Sequence, residues 1–461
     1  MQNLLCKSII GLCLTVILTA CATATPASLP ISPTLQPTLP TSTPIPTLEP
    51  VGAGIPVVEY LNEHNELLVI SSVTGEPFDE FPPITLGTYY SYAFSPDGKI
   101  LAVVSSAQLY LIDLLSWKYR TSEVDLHGPI SSVVYSPDGT LLALAGGLPR
   151  GELRIVDVKS GAVKARAQAG FSIRTVKFTT DGKALMIYGP HLVAGISIGV
   201  PKAALFAVSD LSVSWSVELN DIRHGIFPKK AGTLDIYQPG AAWHFEPGIA
   251  FAPNHDMLYV VHGDEDKLTT VDFINQKVST VNVQVKTSWL DQLLALTAGV
   301  AYAKGMDGTT KQVVISSDGK FLFVAGNTEV VTQQVNGNDW DITDTSIGLQ
   351  VIASENGTLV DKISTDASSV RLSPDSRQLF LTGWNNGIPW TDIYDISSKS
   401  IIKHLDGIYL IPSRRLDGKA ILVSINTISS NVSYTTLIDP DTWTIVSDWK
   451  GVVDVGWLID P

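Results

Sequence analysis

One short unit returns six times between residues 92 and 382, and it constrains the fold more than any other feature of the chain. It reads YAFSPDGKILAVV at 92–104, VVYSPDGTLLALA at 133–145 and VKFTTDGKALMIY at 176–188. It returns as IAFAPNHDMLYVV at 249–261, VVISSDGKFLFVA at 313–325 and VRLSPDSRQLFLT at 370–382. A weaker copy, PSRRLDGKAILVS, stands at 412–424, and a truncated one, VGWLIDP, at 455–461.

Each unit opens with an apolar or aromatic run that a turn cuts short. In Ser136-Pro137-Asp138-Gly139, proline sets φ, aspartate bonds its own backbone, and glycine accepts φ > 0. The run after the turn, 141–145, is apolar on both faces, so burial on both faces is expected. A third run ends in an apolar–Asp–apolar step, as at Ile112-Asp113-Leu114, Val156-Asp157-Val158, Val271-Asp272-Phe273 and Tyr394-Asp395-Ile396. A turn and a more polar fourth run complete the unit. Four short strands per repeat, most apolar in the middle, predict an all-β propeller of four-stranded antiparallel blades. Turn anchors count eight blades, or seven if the copy near 412 is not separate. Residues 57–61 and 67–71 fit a second and a third strand, and the truncated copy supplies a first. One blade would then be shared by both ends of the chain, closing the ring and leaving no open edge.

These residues resemble known repeat families. The FSPDGxxLAV unit with its Ile/Val-Asp step looks like WD-repeat-like propellers and the periplasmic propeller of the Tol system. MLYVVHGDEDKLTTVDFINQKVST at 257–280 looks like the YVTN repeat of bacterial and archaeal surface proteins. The Trp-Asp dipeptide of true WD repeats is missing from the third-strand ends. The one Trp-Asp, Trp340-Asp341, falls in an insertion.

The first fifty residues are of another kind. Lys7, the apolar run 9–18 and the small residues before Cys21 read as an export signal over 1–20. The run is too short to span a bilayer as a mature helix. Leu18-Thr19-Ala20-Cys21 resembles a bacterial lipobox, which implies diacylglyceryl attachment to the Cys21 thiol and an extracytoplasmic, membrane-anchored protein. Residues 21–50 carry a proline every two to four positions from Pro26 onward and no charge until Glu49. Such a chain forms neither helix nor sheet. As an extended tether, 22–50 reaches roughly 90 Å at about 3.1 Å per residue. Residues 51–461 form the propeller.

Composition excludes several functions. The three cysteines, Cys6, Cys13 and Cys21, all precede the folded part, so it holds no disulfide, zinc–cysteine cluster or catalytic thiol. A net charge of −14 argues against nucleic-acid binding, which needs a basic stripe. No phosphate-cradling loop appears, and no cofactor or metal is expected. The GISIG string at 195–199 matches a nucleophile elbow without the strand–turn–helix that gives it meaning. His224, His244, His255 and His262 lack ligand spacing and read as scattered surface histidines. The acidic run 264–266 and Asp339, Asp341 and Asp344 lack the glycine and terminal glutamate of an EF-hand loop.

The long insertions fall near 189–203, 220–247, 284–311, 327–347 and 383–391. Strands in a blade alternate direction, so all five leave from one face, opposite the tight Pro-Asp-Gly turns. Binding residues concentrate on such loops. The candidate ligand face is Trp243, His244, His262, Trp289, Trp340, Trp384, Asn385, Asn386 and Trp390, because indole with Asn, Asp and His suits a sugar or peptide. Trp117, Trp215 and Trp443 recur at one position early in the fourth strand and read as structural. The apolar spacing within 288–304 suggests a short helix packed on the same face. The expected function is a noncatalytic binding or scaffold module for a protein, peptide or glycan. The alternative is a propeller enzyme, lactonase-like or another hydrolase, with its site in the central funnel.

Overall fold

The blade copy at 133–145 shows how the sequence makes its sheet. Strands Ile130–Tyr135, Leu141–Gly146, Glu152–Asp157 and Val163–Gln168 lie side by side in chain order, each antiparallel to the next. In the first turn, Ser136 Oγ donates to Asp138 Oδ1 at 2.6 Å and accepts the Leu141 N–H at 2.9 Å. Gly139 takes φ +71° there. In the last turn, the Ser160 N–H donates to Asp157 Oδ1 at 2.8 Å, and Gly161 takes φ +73°. The recurring aspartates are therefore turn anchors. The Ser95–Asp97, Thr179–Asp181, Ser316–Asp318 and Ser373–Asp375 pairs repeat the first contact. Asp113, Asp272, Asp395 and Asp439 repeat the second. The hydroxyl bond from Ser136 holds Asp138 below the usual carboxylate range, and the one from Ser95 does the same for Asp97.

This computed structural model describes residues 56–458 except 62–64, 72–75, 88–89, 106–107, 125–129, 147–149, 191, 194–195, 198–199, 230–241, 286–307, 334–339, 374, 415–419, 429–431 and 451–456. The export signal, Cys21 and the tether lie outside the described residues, as do Trp289 and the 288–304 segment. Among the described residues every element is a strand. They form seven four-stranded sheets, one eight-stranded sheet and a two-stranded hairpin. Strand Pro56–Leu61 pairs with Glu66–Ser71 on one side and with Trp457–Leu458 on the other, through Val57↔Leu458 and Val58↔Trp457.

Successive sheets pack face to face. Leu153, Ile155, Phe178, Leu185 and Phe206 join the 130–168 sheet to the 175–218 sheet. Met186, Tyr188, Leu258 and Phe273 join that one to the 248–282 sheet. The second strands are buried on both faces, as their unbroken apolar runs require: Leu142, Ala143, Leu144 and Ala145 have no exposed surface. Each fully buried leucine contributes about 2 kcal/mol relative to exposure.

The eight-stranded sheet departs from the repeat. Its core is Gly308–Ile315, Phe321–Gln333, Leu349–Ala353 and Thr358–Ile363. The hairpin Gly225–Pro228/Ala242–Glu246 joins it in parallel through His244↔Gly308, Phe245↔Thr309 and Glu246↔Thr310. Gln284–Val285 pairs in parallel with Thr358–Leu359 at the other edge. Strand Trp340–Ser346 folds back on 327–333 as a long arm. The 220–247, 284–311 and 327–347 insertions thus carry sheet extensions within them.

Two expectations need correction. Trp117 and Trp443 do share a position, but it is the left-handed residue of the third turn, at φ +54° and +56°, and not a place in the fourth strand. Leu211 fills that slot in the 175–218 sheet, and Trp215 lies inside strand Val213–Glu218. All three tryptophans are packed. Trp117 Nε1 donates to the Pro82 carbonyl at 2.8 Å, Trp215 meets the Phe273 ring at 5.9 Å, and Trp443 meets Phe380 at 6.4 Å. The second correction concerns the histidines. His224 and His262 are buried side chains with specific partners.

Candidate functional site

The residues that open a first strand and those that end a second strand meet on the loop-bearing side. Strand alternation puts Thr310 and Gln312 on one face of Gly308–Ile315, and Asn327 and Glu329 on one face of Phe321–Gln333. With Thr309, Ser368, Ser369 and Thr382 they line a recess of about 350 Å³. His244, Asp344, Trp384 and Tyr409 complete it. His244 arrives there through its parallel pairing with Gly308. A methyl group on Gly308 would lie 2.8 Å from the His244 carbonyl oxygen, so the close approach requires glycine.

Trp384 is the aromatic wall. It is 57% exposed, and its ring stacks on Tyr409 with centroids 6.1 Å apart and planes 30° apart. The Arg371 guanidinium lies 4.7 Å from the Tyr409 centroid and donates to the Tyr409 hydroxyl and, at 3.0 Å, to the Leu410 carbonyl. Trp384 therefore keeps a free face, while Tyr409 is covered. Thr382 is a polar wall. It is 1% exposed, and its Oγ1 has no hydrogen-bond partner. A buried hydroxyl left unpaired costs about 1–3 kcal/mol, which a ligand supplying the missing partner would recover.

Behind the recess runs a chain of ionisable groups. Glu246 Oε2 lies 3.1 Å from His224 Nε2, and its Oε1 lies 3.6 Å from His244 Nε2. His224 Nδ1 bonds the buried Tyr188 hydroxyl at 3.1 Å. Burial pushes the Glu246 carboxyl up. The bonds from His224 and His244, with the charge of Arg174, outweigh it and leave the carboxyl well below the usual range. The contact with Glu246 raises His244 against the opposing effect of burial, and Glu329 adds to the rise. Burial, with the nearby charge of Glu246 adding to it, drives the Tyr188 hydroxyl far up. A second recess of about 420 Å³ is lined by Arg174, Glu246, Thr310, Lys311, Gln312 and neighbouring apolar residues.

The predicted ligand face divides. Trp384 and His244 share the first recess. Asn385 and Trp390 line a separate recess of about 520 Å³ with Asp392, His404 and Asp406. Asp392 and Asp406 hold His404 from both sides, at 2.5 and 3.0 Å, and raise its proton affinity. Asn386 forms the hairpin tip with Gly387, both at positive φ, so its role is conformational. His262 is fully buried, bonds Thr269 Oγ1 at 2.7 Å, and lies outside both recesses; burial pulls its pKa down to about 4. Trp243 is half-buried opposite Phe227. Trp340 is described only as a strand position, paired with Gln333. In the GISIG string, Ile196–Ser197 pairs with Leu192–Val193 as a small hairpin, not as a strand entering a helix. No cluster of three or more metal-binding side chains forms among the described residues.

Sequence reasoning missed Glu329, Thr382 and Tyr409 and undervalued Asp344. The period-2 placement of Asn327 and Glu329 beyond the regular strand end was the available signal. Nothing local marks Thr382 or Tyr409, whose roles come from tertiary placement.

No family model matches the chain, and no curated protein matches it. Solved structures do. One is dihydro-heme d1 dehydrogenase NirN in complex with DHE, at TM-score 0.54 and 13% identity, over 91% of this chain and 78% of that one. Another is the β-propeller domain of Myceliophteria thermophila Cps50 (Swd1), at TM-score 0.42 and 13% identity, over 72% of this chain and 90% of that one. The hydrazine synthase of Kuenenia stuttgartiensis matches at TM-score 0.42 and 13% identity, over 77% and 96%. At 13% identity the likeness to the first of these is one of fold. With the four-stranded antiparallel sheets, it makes the architecture that of a β-propeller.

Proposed function

We propose that this chain is a lipid-anchored, extracytoplasmic β-propeller whose loop-bearing face binds a glycan. The body reads as eight blades: the seven four-stranded sheets and the core of the eight-stranded one. The pairing of 56–61 with 457–458 supports closure of the ring through its two terminal strands. Residues 1–20 act as export signal, Cys21 carries the lipid, and 21–50 hold the body away from the membrane. Changing Cys21→Ser is expected to move the protein from the membrane fraction to the soluble extracytoplasmic fraction. Retention in washed membranes would refute the anchor.

The observation that carries the binding reading is the free face of Trp384 set among short hydroxyl, amide and carboxylate side chains, with the unpaired Thr382 Oγ1 beneath. Sugars offer apolar C–H faces ringed by hydroxyls. They need a flat aromatic and many small polar partners, and this recess supplies both. A peptide partner would call for apolar pockets, which this lining lacks. Titration of the full chain with oligosaccharides, followed by tryptophan fluorescence, is expected to give a saturable change with at least one sugar class. A flat response across neutral, acidic and amine-bearing sugars would end the glycan reading. A hydrolase reading is favoured by one observation, the seating of His244 on Glu246 at the edge of the recess. That pair provides a proton carrier, but no activated nucleophile stands beside it among the described residues.

A further inference from the structure

Two carboxylates face each other across the arm that borders the recess. Glu329 and Asp344 are direct partners in the antiparallel ladder of Phe321–Gln333 with Trp340–Ser346. Like charges directly opposite destabilise a strand pair. Among the described residues no lysine or arginine forms an ion pair with either, and the cation that feels Glu329 is His244, already held by Glu246. The guanidinium of Arg371, which packs on the recess residue Tyr409, is committed to Tyr409 and the Leu410 carbonyl. The carboxylate pair thus adds negative charge to a wall of the recess that Trp384 also lines, and an exposed indole face attracts cations as well. An independent mark of a ligand in the same recess is Thr382, buried with its hydroxyl unpaired.

We infer that the recess selects an amine-bearing sugar: the sugar ring lies on Trp384, its ammonium group sits between Glu329 and Asp344, and a ring hydroxyl pairs with Thr382 Oγ1. This rests on the glycan reading above and narrows it to one substrate class.

The test compares the glucosamine trimer with the N-acetylglucosamine trimer, titrated calorimetrically into the full chain at low ionic strength. The two share ring, linkage and length and differ in charge. The amine form is expected to bind about tenfold more tightly, the size of two partly exposed charge contacts with a cation–π contribution. Added salt should close the gap by weakening the amine form alone. Glu329→Gln and Asp344→Asn, singly and together, should narrow it too, by weakening the amine form more than the acetylated one. Both changes lie on a half-exposed arm and keep the side-chain shape. Equal binding of the two trimers would overturn the amine inference and leave the glycan reading intact. Binding of neither trimer, alongside saturable binding of a different sugar class, would do the same. Silence from every sugar would remove both. A lysine-rich peptide binding more tightly than either trimer would also overturn the inference, since the carboxylates would then serve a peptide.

Discussion

Gly326→Ala is expected to destabilise the protein by about 3 kcal/mol or more, through overpacking of a closed site. Gly326 ends the regular part of its strand, opposite Lys311. A methyl group there would lie 1.9 Å from the Thr310 carbonyl oxygen and 3.0 Å from the Lys311 Cα. Both obstacles are backbone, so no side chain can swing aside. The ladder joining 308–315 to 321–333 would have to part, and with it the floor of the recess. Gly387→Ala is the matched control. Gly387 has φ +78° and open space around it, so an added methyl meets no atom and costs only the left-handed backbone penalty, about 1 kcal/mol. Denaturant unfolding of the two variants would separate the causes. Similar midpoints would mean that collision at Gly326 is not what the structure implies.

Trp384→Ala is expected to weaken ligand binding about thirtyfold, the size typical of a central aromatic contact. Its effect on folding should be slight, because the side chain is more than half exposed and its main neighbour, Tyr409, is held from the other side by Arg371. Trp384→Phe should recover part of the affinity, since it keeps an aromatic face. An alanine variant that binds as tightly as the parent would remove the indole from the site. Calorimetry with the best sugar of the panel, paired with thermal unfolding, reads both quantities on one sample.

Local chemistry made the blades legible. The Ser-x-Asp-Gly turn, the doubly buried second run and the Asp that ends the third strand each act within a few residues. Their consequences could be read one unit at a time. The same reasoning reached Trp384 and His244, because insertions in a rigid repeat are conspicuous. It failed where pairing is remote. No neighbour of Gly308 announces that residue 244 will lie parallel to it. The sharing of Glu246 between two histidines is equally silent, since the spacing of 224, 244 and 246 fits no recurring motif. The tryptophan at 215 misled for the opposite reason: resemblance of residue type suggested a common slot that in its own sheet belongs to Leu211.

The hairpin carrying His244 skips the 248–282 sheet and joins the one beyond it, while Gln284–Val285 grips the far margin of that same neighbour. The skipped sheet is bracketed fore and aft by its own flanking segments, like a page held between two clasps. It peels away whole only when both clasps let go, and one of them delivers a wall of the recess. Local opening in this sector is therefore tied to dismantling the pocket. An occupant of the pocket would, by the same linkage, lock three adjoining sheets as one unit.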